Sequence, residues 1–148
     1  MPVSLADIRN ALATIEGGTP GIKAAFRYAP TAPSPLPAFV NFLERGTYTT
    51  PRYPGQRDGE HHIRAVALVA LQADTSDAER IAEPIIDDFT SRLDQHKTLD
   101  NTSGVIEASV EGWEFGPVTL QTSEPSYLGV SFDVRINTIE QVAYASSG

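Results

Sequence analysis

Apolar residues along this chain change their spacing from one stretch to the next, and the changes divide it into elements. Leu5, Ile8, Leu12 and Ile15 recur at three- and four-residue intervals, which predicts a short amphipathic helix. Ser4 and Asp7 form an S-x-x-D capping box ahead of it, with Val3 and Ile8 placed as a hydrophobic staple. Gly17 and Gly18 stop it, since glycine tolerates a left-handed cap. Residues 22–28 read as a strand and residues 38–43 as a second. Between them Pro30, Pro33, Pro35 and Pro37 deny the backbone its donors and predict an extended connector. Residues 47–60 turn polar, with Pro51, Pro54, Gly55 and Asp58-Gly59 as turn formers, and read as a loop.

Residues 61–72 are the clearest strand. Ile63, Ala65, Ala67, Val69 and Leu71 line one face and Val66, Leu68 and Ala70 the other. A strand apolar on both sides is covered on both sides, so it is central, and its second cover is either another part of the chain or a neighbouring subunit. A long helix comes next and runs to about residue 96, opened by a Ser76/Glu79 capping box, with Ile81, Ile85, Phe89 and Leu93 as its buried stripe. Asp77 and Glu79 in its first turn, and His96 and Lys97 beyond its last, suit the helix dipole. Pro84 removes one backbone bond and predicts a kink or a delayed start. Residues 105–110 read as a strand with Ile106, Ala108 and Val110 on one face. Gly112, Gly116 and Pro117 break the stretch up to Leu120, predicting a bulge or tight turn around Trp113 and Phe115. After a loop, Val130, Phe132, Val134 and Ile136 alternate with Ser131, Asp133, Arg135 and Asn137, the pattern of a half-buried antiparallel strand.

These elements add up to one α+β domain over residues 1–148, a mostly antiparallel sheet of four to five strands with one long and one short helix packed on it. The net charge of −8 argues against a grip on nucleic acid, which needs clustered Lys and Arg. The absence of cysteine excludes disulfides and thiolate metal sites and leaves the redox compartment open. The first residues lack a signal-peptide pattern, and the longest apolar run, residues 65–71, is too short to span a bilayer. The expectation is a soluble intracellular protein without a membrane partner.

Candidate chemistry is sparse. No P-loop, G-x-G-x-x-G or G-x-S-x-G motif is present, and the Gly-rich residues 17–21 lack the Lys-Ser/Thr of a phosphate cradle. His61 and His62 are adjacent, and adjacent strand residues point to opposite faces, so they do not chelate one ion together. Glu83 and Asp87 share one helix face, with Asp88 next to them, and read as a solvated face rather than as an acid–base pair. Trp113 and Phe115 suit either core plugs and interface anchors or the wall of a ligand cleft. No catalytic, cofactor-binding or metal-ligating residue is therefore expected, and the chain is not expected to be an enzyme. Tyr48, Arg52, Tyr53 and Arg57 decorate the polar loop. They read either as a hairpin tip or as an arm contacting another subunit, because Tyr and Arg are enriched at interface hot spots.

The order of these parts resembles the tail terminator (tail completion, minor tail U-like) proteins of long-tailed bacteriophages. It runs from the capped first helix, through GIKAAFRYAPTAPSPLPAFVNF and HHIRAVALVAL, to the helix DAERIAEPIIDDFTSRLDQH and the closing YLGVSFDVRINTIEQV. The resemblance implies a virion structural protein that caps the tail tube as a ring, commonly a hexamer, and joins it to the filled head. Its implied partners are copies of itself, the tail tube protein and the head–tail connector proteins, with DNA passing through the lumen unbound. Its implied place is the head–tail junction of the virion, after assembly in the host cytoplasm. In that setting Tyr48, Arg52, Tyr53 and Arg57 become candidate contacts to a subunit or the tail tube. The alternatives are another neck or head–tail connector protein, or a small ligand-binding module or enzyme with a pocket near Trp113.

Overall fold

The computed structural model describes residues 3–30, 33–49, 55–71, 77–120 and 126–141. In chain order the elements are α1 (Leu5–Gly17), β1 (Ala24–Phe26), β2 (Ala38–Tyr48), β3 (Gln56–Leu71), α2 (Ala78–Gln95), β4 (Val105–Thr119) and β5 (Ser126–Gln141). The strands form one sheet in the order β1-β2-β3-β5-β4, antiparallel throughout except for the parallel pair β1–β2. The fold is α+β, with one short and one long helix, as the spacing of apolar residues predicts.

Both helices cover the same face. Ile8, Leu12 and Ile15 of α1 and Ala82, Ile85, Phe89 and Leu93 of α2 pack with Phe39, Ile63, Ala65, Val130, Phe132, Val134 and Ile136 into one core. At its centre the Phe89 ring lies 4.9 Å from Phe39 and 4.8 Å from Phe132. Among the described residues the opposite face is covered only in part. Val40, Val66, Leu68, Val118 and Tyr127 form a smaller cluster, closed by Ala29 and Leu36 from the Pro-rich connector and by Leu120. The second cover of the central strand thus comes, at this end, from the chain itself.

Several local expectations need correction. Ser4 does cap α1, its Oγ accepting the Asp7 N–H at 3.2 Å. Gly18, however, is right-handed (φ −84°), so the helix ends without the left-handed cap. Its missing side chain instead leaves room for Arg92, whose Nε donates to the Ile15 carbonyl at 3.1 Å. Leu5 is exposed, and Arg9 and Glu16 are buried in its stead. In α2 the buried set is Ala78, Ala82, Ile85, Phe89 and Leu93, while Ile81 is only half-buried. A strict four-residue repeat drifts about 40° per step around the helix, so its first member leaves the face. Ser76 lies outside the described residues; Asp77 occupies the cap position, with no side-chain cap bond. The helix continues through Pro84, which is exposed.

The strands are longer than their apolar segments. β1 is shorter than expected, but β2 and β3 extend into the polar stretch whose composition reads as a loop, and Thr49 N–H still donates to the Asp58 carbonyl at 3.0 Å. The 16-residue β5 supplies β3 with ladder partners as far as Gln56, and such pairing outweighs polar side chains. A bulge between Leu68 and Ala70 breaks the alternation, so Ala70 joins the helix-side core and Leu71 is half exposed. β4 runs unbroken across Gly112, Gly116 and Pro117, with irregularities at 105/107 and 110/112. The first turns Ile106 outward (51% exposed) and Val105 and Ala108 inward. β4 is an edge strand, so the N–H that Pro117 lacks need not cost a ladder bond.

Candidate functional site

The far half of β2 is an edge of the sheet. β1 pairs only with Ala38–Val40, which leaves residues 42–48 with β3 on one side and no strand on the other among the described residues. Leu43 to Thr49 are all exposed, whereas His61 and His62 opposite them on β3 are buried. A bulge between Leu43 and Arg45 bends this edge.

Tyr48 and Arg57 come together near the hairpin end. The Arg57 guanidinium lies 4.4 Å over the Tyr48 ring and binds Glu140, with Nε donating to Oε1 at 3.0 Å. The cation of Arg57 is thus held within the chain, where it braces a Tyr48 ring that stays 53% exposed. The same hydrogen bond holds the Glu140 carboxyl below the usual carboxylate range. His61 supports Tyr48 from below, ring edge to face at 5.3 Å, with Thr138 hydroxyl 3.3 Å from its Nε2. Arg52 and Tyr53, the other two candidate contacts, lie outside the described residues.

The two histidines point to opposite faces. His62 stands on the face away from the helices, its Nδ1 3.0 Å from Asp133 and its Nε2 2.9 Å from Glu60. Both ring nitrogens are therefore engaged by carboxylates, which raises its pKa, Asp133 contributing most. His61 is pushed the other way by burial. In an NMR titration His62 is expected to titrate above the ordinary histidine value of about 6.5 and His61 below it. Stability contributed by His62 is full below the unfolded value and is lost as pH rises through its raised one. That of His61 is present above the unfolded value and is lost as pH falls. Indistinguishable titrations would refute the pairing.

A buried polar network, which apolar spacing could not reveal, ties α1 to this edge. Arg9 Nη2 donates to the carbonyls of Arg27 at 2.7 Å and Asn41 at 3.0 Å. Asn41 Nδ2 donates to Glu16 Oε1 at 2.7 Å and to the Phe26 carbonyl at 3.0 Å. Glu16 is fully buried, and burial raises its pKa well above the ordinary carboxylate value. Among the described residues its Oε2 and the Asn41 Oδ1 have no hydrogen-bond partner. The i, i+7 placement of Arg9 and Glu16 beside an apolar stripe was the one signal of it in the sequence.

The remaining candidates stay separate. Glu83 and Asp87 are exposed on α2. Trp113 is 55% exposed on β4, lining a shallow groove with Phe115 and with Glu79, Ala82, Glu83 and Ile86 of α2. The fully buried carboxyl, Glu16, is on α1, which packs on β1 and β2 at the other edge of the sheet. No helix among the described residues is long and apolar enough to cross a membrane. No protein-family model matches the chain, and no curated protein is significantly similar to it.

Proposed function

We propose that this chain is a virion structural protein of a long-tailed bacteriophage, a tail terminator that closes the tail tube as a ring and offers the surface joining it to the head. The observation that carries the reading is the exposed far half of β2 with its braced tyrosine. A run of exposed strand, Leu43 to Tyr48, ends at an aromatic ring stacked on an arginine, which suits contact with another folded surface better than solvent alone. The small α+β fold and the acidic balance support it, since a net charge of −8 lets DNA pass a lumen without sticking. In this reading the partners are copies of the same chain, the tail tube protein and the head–tail connector proteins, and the location is the head–tail junction.

Tyr48→Ala removes an exposed ring that belongs to neither core cluster, so the variant should fold. It should fail to stop tube growth when added to polymerising tail tube protein, whereas the wild-type chain should yield tubes of limited length. Electron microscopy of the tubes reads the result. Unlimited tubes with the wild-type chain would end the tail-terminator reading. Normal capping by the Tyr48→Ala variant would show that the Tyr48 end of β2 is not the contact.

A further inference from the structure

We infer that copies of this chain associate head to tail through opposite edges of the sheet, the β4 edge of one copy docking on the β1/β2 edge of the next. This rests on the self-assembly part of the function proposed above and assigns its surfaces. The two edges differ in charge. The β1/β2 edge carries Lys23, Arg27 and Arg45, with Glu44 in the bulge between Leu43 and Arg45. The β4 edge carries Glu107, Glu111 and Glu114, all exposed, with one cation, Lys97, whose carbonyl takes the Ala108 N–H at 2.7 Å. Glu111 is paired with Arg135 at 2.7 Å, whereas Glu107, Glu114 and Arg45 make no ion pair among the described residues. Each edge also has half-exposed anchors. Trp113 and Ile106 stand on β4; Leu43 stands on β2, and Tyr28 beyond β1, its ring faced by the guanidinium groups of Arg9 at 4.4 Å and Arg27 at 4.6 Å.

Strand direction agrees. β4 runs antiparallel to β5, β5 antiparallel to β3, and β3 antiparallel to β2, so β4 runs opposite to β2 and β1. A second copy in the same orientation therefore meets β4 in the antiparallel sense. The cross-strand rows agree as well. Glu107 lies in the row Thr47–Glu60–Asn137, and Glu114 in the row Val40–Val66–Ser131, whose β1 member is Phe26. A neighbour in that register sets Glu114 beside Phe26, one residue from Arg27. Near Glu107 the Lys97 carbonyl already holds the outward Ala108 N–H at 2.7 Å, so there Glu107 and Arg45 meet as side chains rather than through a strand ladder. A two-fold pairing of β4 with β4 would instead bring carboxylates together, and one of β2 with β2 would bring arginines together. Only the heterologous join places opposite charges face to face, and a heterologous join closes into a ring when the rotation permits.

Charge exchange tests this. Variant one carries Glu107→Arg and Glu114→Arg, and variant two carries Arg27→Glu and Arg45→Glu. Each then has like charges on both edges and should stay monomeric by light scattering where the wild-type chain forms multimers. Mixed in equal amounts, they offer one another complementary edges and should restore assembly with alternating subunits. Trp113, the only tryptophan, reports directly. Its emission should move to shorter wavelength on assembly of the wild-type chain and of the mixture, and in neither variant alone. Arg45→Glu in one chain and Glu107→Arg in the other repeat the exchange at two exposed positions and spare the Arg27 bond to Asn10, should the double variants fold poorly. Variants that assemble like the wild type, or a mixture that stays monomeric, would overturn the edge assignment while leaving the ring reading standing. A wild-type chain still monomeric at about 1 mM would remove self-assembly itself, and a mass that stops at the dimer would overturn the head-to-tail join.

Discussion

Phe132→Ala is expected to lower the free energy of unfolding by about 3–5 kcal/mol. The side chain is fully buried, and its ring meets Phe89 at 4.8 Å and Phe39 at 6.0 Å. These three rings come from β5, α2 and β2, so removing one opens a cavity where strands and helix join. The neighbours cannot close it cheaply. β5 is held by β3 on one side and β4 on the other, and α2 rests on the same rings. Urea unfolding measures the loss as a lower midpoint with an unchanged slope. A change below about 1 kcal/mol would mean that the core does not turn on this cluster.

Glu16→Gln is expected to stabilise the protein at neutral pH by about 1–3 kcal/mol, the usual cost of a buried polar group left without a partner. Gln keeps the shape and the bond from Asn41 Nδ2, and it replaces Oε2, which has no partner among the described residues, by an amide nitrogen that carries no charge to bury. The pH dependence separates this from simple repacking. Burial raises the Glu16 pKa in the folded chain. A raised carboxyl contributes its full stability below the unfolded value of about 4.3 and loses it as pH rises through the folded value. The advantage of the Gln variant should therefore be smallest in acid and grow from about pH 4.3 upward. Unfolding midpoints of both chains across that range decide the matter. A constant difference would show that Glu16 is not buried as a neutral acid, and a loss of stability on substitution would show that its charge is used.

Whether a feature is legible in the sequence depends on how far along the chain its causes lie. Alternation from Val130 to Ile136 and the repeat from Ile85 to Leu93 became the buried faces of β5 and α2, because a half-buried element must place its apolar residues at its own period. The two-sided apolar run became β3, the strand flanked by β2 and β5. Local periodicity thus determined the class of the fold, its central strand and most of its core. Tyr48 and Arg57 were visible as residue types, but their stacking on one another, and the loss of the Arg57 cation to Glu140, were not.

What only the tertiary structure decided are features that depend on partners far along the chain. The polar halves of β2 and β3 are strands because β5 continues beside them, although their own side chains read as loop. Ile106 faces outward because a bulge sets the register of β4, and one residue of slip reverses every side chain. Arg9 and Glu16 are buried because Asn41 and two backbone carbonyls, 18 to 32 residues away, satisfy part of their polarity. The opposite charges of the two sheet edges belong to the order of strands in space, β1 and β2 at one side and β4 at the other, which no periodicity along the sequence encodes.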